Sequence, residues 1–175
     1  MAKLRKMLCD INSQECIAMM KLIETQSKTT LASWAVGFAK ENYLPTYEKE
    51  CPGDARLADA VAACEKHLAG ELLLKELKPV IKEAQLLARD AEGNPVAQAA
   101  ARAVATACAV INTPTNALGY LFYGAAAVAY DTAGLEEGAE VYDALALAEM
   151  KRAWKDLEEK AVPDEPKPAK IKWGC

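Results

Sequence analysis

Between Arg102 and Asp131 the chain carries no formal charge, and the run AVATACAVINTPTNALGYLFYGAAAVAY has no equal in the sequence for length without charge. A bilayer span needs about 20 unbroken apolar residues. Here Ile111-Asn112-Thr113-Pro114-Thr115-Asn116 divides the run into two shorter pieces. The pattern predicts two helices, apolar on every side and so buried on every side. They fold against each other as an alanine-rich hairpin at the centre of a water-soluble body.

The flanking segments read as helices with one apolar face each. Ile17, Met20 and Ile23 recur at a spacing of three, behind a cap at Asn12 or Ser13 with Glu15 or Cys16 in the first turn. Residues 1–10 read as a short helical turn before it. Ser27 to Thr30 end that first helix and cap the next. Leu31, Trp34, Ala35, Phe38 and Ala39 then share one face. Pro45 falls inside the pattern while Tyr47 keeps the spacing, which predicts a kink before the stop at Cys51-Pro52-Gly53. Asp54 is placed to cap a helix lined by Leu57, Val61, Cys64 and Leu68, ending at Gly70. Leu77, Val80, Ile81, Ala84, Leu87 and Ala88 mark another, with Pro79 read into its first turn.

Gly93-Asn94-Pro95 supplies a terminating glycine, a cap and a first-turn proline, the clearest boundary in the chain. The helix it opens runs to about Ile111. Thr113-Pro114 repeats the device and opens a helix ending near Gly134. Glu136 to Ala161 reads as a last amphipathic helix with Leu147, Met150, Trp154 and Leu157 inward. The expected fold is therefore all-α: one domain over 1–161, a bundle or short stack of about six to seven helices. The tail 162–175 has three prolines and is expected to be extended or disordered unless it docks.

Composition sharpens this picture. Hydrophobic residues make up 52% but aromatics only 6%, the difference being largely alanine, which favours close helix approach. A net charge of -4 argues against a nucleic-acid binder, which needs a basic face, while leaving room for a local basic patch. The six cysteines form no C-x-x-C pair, and the N-terminus has no apolar secretory segment. Reduced thiols in a cytoplasm are the expectation, with Cys64 and Cys108 as small buried hydrophobes.

Candidate chemistry is sparse. The one histidine, His67, lies three residues after Cys64. A zinc ion there would need two more ligands, so His67 is read as the edge of a packed helix. The stretch from Asp131 to Glu149 holds six acids and no Lys or Arg. Glu136, Glu140 and Asp143 would share a helical face, and Glu136-Glu137-x-x-Glu140 mimics one half of the Mg²⁺ signature of all-α nucleotide pyrophosphatases. The second half is missing. A solvated acidic edge of Glu136, Glu137, Glu140 and Asp143, available to a basic partner, is the preferred reading. Asn112, Thr113, Thr115 and Asn116 are read as caps, or as the floor of a small pocket walled by Trp34, Asn116, Tyr120 and Tyr123. No catalytic residue, metal ligand or cofactor is assigned.

The run TLASWAVGFAKENYLPTYEKECPGDARLADAVAACEKHLAGE, with Trp34, Glu41-Asn42-Tyr43-Leu44-Pro45, Pro52, Asp54, Arg56 and Ala69-Gly70-Glu71, resembles the opening of a bacterial family of immunity proteins. This is the immunity-five-like group of polymorphic toxin systems. Ala99 to Ala103 and the Asn116 helix resemble its later segments, so the likeness covers about 1–160. The chain lacks the histidine that many relatives carry near Cys108 to Asn116. The resemblance implies an all-α domain with no known activity, a cognate toxin as partner, and no catalytic residue. Against this non-enzymatic reading stand a metal-dependent nucleotide hydrolase using Glu136, Glu140 and Asp143, and a small-ligand module at the Trp34 pocket. A homodimer is a further expectation from an alanine-rich, aromatic-poor chain of this size.

Overall fold

In a computed structural model that describes residues 3–174, the described chain forms eight α-helices and one short 3₁₀ turn, with no strand. They are α1 (Gln14–Ile23), α2 (Lys28–Asn42), α3 (Leu44–Glu50), α4 (Arg56–Leu68), α5 (Leu74–Asp90), α6 (Pro95–Cys108), α7 (Asn116–Ala133) and α8 (Ala139–Lys160). The uncharged middle is the hairpin α6–α7, and these two helices make the most extensive contact in the molecule. Helices α2, α3, α4 and α5 cover α6, while α1 and α8 cover α7. No described helix is long and apolar enough to cross a membrane.

Alanine sets the spacing of this core. Ala97, Ala100, Ala101, Ala103 and Ala107 of α6 and Ala125, Ala126, Ala127 and Ala129 of α7 are sealed from solvent. The large side chains that fill the remaining space come from the covering helices and from Leu118, Tyr120, Leu121, Phe122 and Tyr130 of α7. Phe38, Tyr43 and Tyr120 are buried and meet edge-on, with Phe38–Tyr43 centroids 5.6 Å apart and Tyr43–Tyr120 6.2 Å apart.

The caps predicted at Ser13, Ser27 and Asn94 all form: each side-chain oxygen accepts an amide three residues on, at Cys16, Thr30 and Ala97. Several local readings need correction. Pro45 does more than kink a helix: the chain breaks at Tyr43, and Pro45 sits in the first turn of α3. Pro79 lies inside α5, not in its first turn. The helix starts earlier because Glu76 Oε2 accepts the Leu73 amide at 3.0 Å. Lys75 and Pro79 are both exposed, and the proline supplies no amide to the carbonyl four residues before it. Asp54 does not flank α4 directly, since Ala55 intervenes, but its Oδ1 still accepts the Arg56 amide at 3.1 Å. The α6–α7 link forms a turn without a side-chain cap at Thr115. In α1 the buried stripe is Cys16, Met19 and Ile23, and Ile17 stands 41% exposed. Apolar residues run continuously from Cys16 to Met20, so only the positions of α7 and α8 choose the face.

Residues 3–10 form no helix. They lie across α7, with the Leu8 amide donating to Phe122 O at 3.1 Å and the Tyr130 hydroxyl donating to Arg5 O at 2.6 Å. The tail is extended and docked. Buried Gln26 holds both backbone groups of Val162: its Nε2 donates to the carbonyl at 3.2 Å and its Oε1 accepts the amide at 2.9 Å. The Ala169 amide donates to Gln26 O at 2.8 Å, and Glu165 accepts from the Ser27 amide and from Thr30 Oγ1. These hydrogen bonds hold Glu165 below the usual carboxylate range against the opposing effect of desolvation. Replacing Gln26 with alanine is expected to cost about 1–2 kcal/mol. Urea denaturation checks it, and truncation after Ala161 should add less to the variant than to the wild type, because both remove the same clasp.

Candidate functional site

The acidic edge is real as a surface but is not one helical face. Helix α8 begins at Ala139, so Glu136 and Glu137 belong to the turn before it. Tyr142 sets that late start: its hydroxyl donates to Gly134 O at 2.8 Å and accepts the Glu137 amide at 3.1 Å. Glu136, Glu137 and Glu140 are exposed and form no ion pair among the described residues, whereas Asp143 pairs with Arg5 at 2.5 Å. Lys3, Arg5, Glu136, Glu137, Tyr130 and Tyr142 line a shallow groove of about 240 Å³ beside the edge. Among the described residues no three His, Cys, Asp or Glu side chains are grouped to hold a metal ion.

Of the four pocket candidates, two lie in the core. Trp34 and Tyr120 pack edge-on with centroids 5.5 Å apart, both buried. Trp34 borders a shallow groove with Thr29, Thr30, Ser33, Gly37 and Lys160, which none of the other three candidates lines. Asn116 and Tyr123 are half-buried on α7. Cys64 and Cys108 are both buried and adjacent, and hydrogen bonding with Cys64 together with burial pushes the Cys108 thiol well up. His67 is half-buried, with Nδ1 donating to Leu72 O at 2.8 Å, which closes the α4–α5 turn.

The cluster that sequence reasoning missed surrounds Glu149. Glu149 closes the acidic run that begins at Asp131, yet it is only 4% exposed. The Tyr43 hydroxyl donates to its Oε1 at 2.8 Å, and Arg152 adds a two-pronged contact, Nη2 to Oε1 at 2.7 Å and Nε to Oε2 at 2.8 Å. Arg152 Nη1 also donates to Asn42 Oδ1, and its guanidinium lies 5.4 Å from the centre of the Phe38 ring. Burial pushes the Glu149 carboxyl above its ordinary range, outweighing the Tyr43 and Arg152 donors that favour the anion. Burial likewise pushes the Tyr43 and Tyr120 hydroxyls well up. The Tyr120 hydroxyl is buried without a hydrogen-bond partner among the described residues. A signal was present: Tyr142, Ala146, Glu149, Met150, Ala153 and Leu157 form one helical face, and Glu149 sits inside it.

Of the residues read as inward on α8, Met150 and Leu157 are buried and Leu147 and Trp154 half-buried. The Trp34 indole donates to Asp156 Oδ2 at 3.0 Å, and Lys160 holds the same carboxylate at 2.9 Å. Polar contacts thus reach from α8 to α2 at two places, Arg152 to Asn42 and Asp156 to Trp34.

No curated protein and no solved structure matches the chain. A family model described as "Imm-5 like putative immunity protein" matches residues 21–160, most of the 175 residues. That span holds the α6–α7 hairpin, the Glu149 cluster and the acidic edge, and the chain belongs to the Imm-5-like family.

Proposed function

We propose that this protein neutralises a cognate toxin by binding it directly in the cytoplasm, without catalysis, and that the contact includes the acidic edge. The observation that carries the reading is the trio Glu136, Glu137 and Glu140. These side chains project from one turn and the first residues of α8, exposed and without ion pairs among the described residues. Family membership supplies the kind of partner, and the edge supplies its charge: a basic surface, such as that of a toxin domain acting on nucleic acid. Unpaired rim charges of one sign accelerate encounter more than they tighten the final complex.

The test is co-purification with the toxin, followed by association kinetics at rising salt. Reversing all three glutamates to lysine is expected to slow association on the order of tenfold or more at low salt, with the gap closing as salt screens it. An association rate indifferent to both salt and the triple reversal would remove the edge from the interface.

A further inference from the structure

Burying an ion pair seldom stabilises a fold, since apolar residues of similar volume are often as good or better. Stability therefore does not explain why α8 turns Glu149 inward. What the arrangement does produce is a guanidinium held on several sides. Glu149 takes the Nε and Nη2 protons of Arg152, and Asn42 Oδ1 takes one from Nη1. The Asn42 amide is itself oriented by donating to Phe38 O at 2.9 Å, and the Phe38 ring lies against the cation. Even so, the Arg152 side chain is 48% exposed. A guanidinium has five N–H donors. Three are used within the fold, leaving one on each terminal nitrogen, the fork that a carboxylate accepts with both oxygens.

The groove in front of this fork is about 260 Å³ and is lined by Phe38, Glu41, Asn42, Arg152, Lys155, Asp156 and Glu159. Lys155 follows Arg152 on the same side of α8 and has no ion pair among the described residues; Glu41 and Glu159 have none either. Asp156 is taken up by Trp34 and Lys160. Beyond its pair with Glu149, Arg152 keeps two N–H donors, so the groups on this small wall open to a ligand are that fork, one further cation, Lys155, and two anions, Glu41 and Glu159.

We propose that this groove recognises a carboxylate carried beside a cationic group. The free fork of Arg152, with Lys155, takes the carboxylate, and Glu41 or Glu159 takes the cation. Glu149 and Asn42 are positioning residues: through Arg152 they fix the plane of the fork. The chemistry suits a neighbouring Asp and Lys on a protein segment or a small free zwitterion, and the two sources separate in the test. The acidic edge plays no part, and no toxin is needed in the assay, so failure here leaves the toxin-binding reading untouched.

The full chain is titrated with acetyl-Asp-Lys-amide, with β-alanine and with succinate, following the Nε–H resonance of each arginine by NMR. The expected result is a saturable shift at Arg152, with at least one zwitterionic probe binding several-fold tighter than succinate. The peptide binding tighter than β-alanine marks a protein segment as the source, and the reverse marks a small molecule. Arg152→Lys keeps the charge but loses the fork, and should weaken binding at least tenfold. Glu149→Gln should weaken it at least fivefold with the Arg152 charge intact. Asn42→Ala, on a half-buried side chain, gives the same readout should the Glu149 variant fail to fold. No saturable shift at Arg152 overturns the site, as does a shift no larger than at the other arginines, the mark of an adventitious ion only. Unchanged binding in Arg152→Lys or Asn42→Ala overturns the fork and its positioning.

Discussion

Replacing Gly124 with alanine is expected to destabilise the protein by about 3 kcal/mol, although alanine is the better helix former. A Cβ at this position of α7 would lie 2.2 Å from Cζ of Tyr43, 2.4 Å from Cε2 and 2.5 Å from the hydroxyl oxygen. The ring has nowhere to go. It is sealed from solvent, packed edge-on against Phe38 and Tyr120, and its hydroxyl is tied to Glu149. The proof that this contact is the cause is a change of sign. In a Tyr43→Leu background none of the three clashing atoms exists, and Gly124→Ala should then be neutral or stabilise by up to about 1 kcal/mol through helix propensity. Urea denaturation of the four proteins measures it. A cost of the same size in both backgrounds would show that the glycine is needed for another reason.

Glu149→Ala should cost about 3 kcal/mol, because it strands the buried Tyr43 hydroxyl, opens a cavity and leaves Arg152 without its counter-ion. Arg152 is half exposed and recovers water, which keeps the loss at the lower end of what breaking a buried pair produces. The informative comparison is Tyr43→Phe with Glu149→Leu, which removes hydroxyl and carboxylate together. That pair should come out near neutral, within about 1 kcal/mol of the wild type. A double variant as damaged as Glu149→Ala would show that the ion pair exists for stability, and would weaken the case for a recognition role of Arg152. The pH dependence has a definite sign. Burial raises the folded-state pKa of Glu149, so the folded protein binds this proton more readily than the unfolded chain. The associated stability is present in full below the ordinary glutamate range and is lost as pH rises through the folded value. Glu149→Gln removes this contribution, so its stability relative to the wild type should improve as pH climbs through that window. Thermal melts across it, in both proteins, give the slope.

Much of the architecture was legible because the forces behind it are local or act on long stretches. A charge-free run interrupted by Asn-Thr-Pro-Thr-Asn can only be buried as two pieces, and α6 and α7 are those pieces. Ser13, Ser27 and Asn94 cap their helices because capping needs only a side chain and an amide three residues on. The acidic edge was legible as charge but not as geometry. Whether Glu136 is helical depends on the Tyr142 hydroxyl, which reaches back to Gly134 and Glu137 and holds the turn open. The reading of Trp34, Asn116, Tyr120 and Tyr123 as one site turned on tertiary contact: Trp34 and Tyr120, far apart in sequence, pack edge-on in the core.

The sequence by itself determined the all-helical class, the buried hairpin at its centre, most helix boundaries and the family to which the chain belongs, because periodicity, caps and charge are properties of neighbours along the chain. Tertiary structure alone decided which face of α1 is inward, that the tail is clasped by Gln26, and that Gly124 makes room for the Tyr43 ring. It alone turned Glu149 into the core and left Arg152 at the surface with part of its fork unused. Each of those outcomes depends on atoms brought together from more than 80 positions apart or from a neighbouring helix, and no local pattern encodes which distant surface a residue will meet.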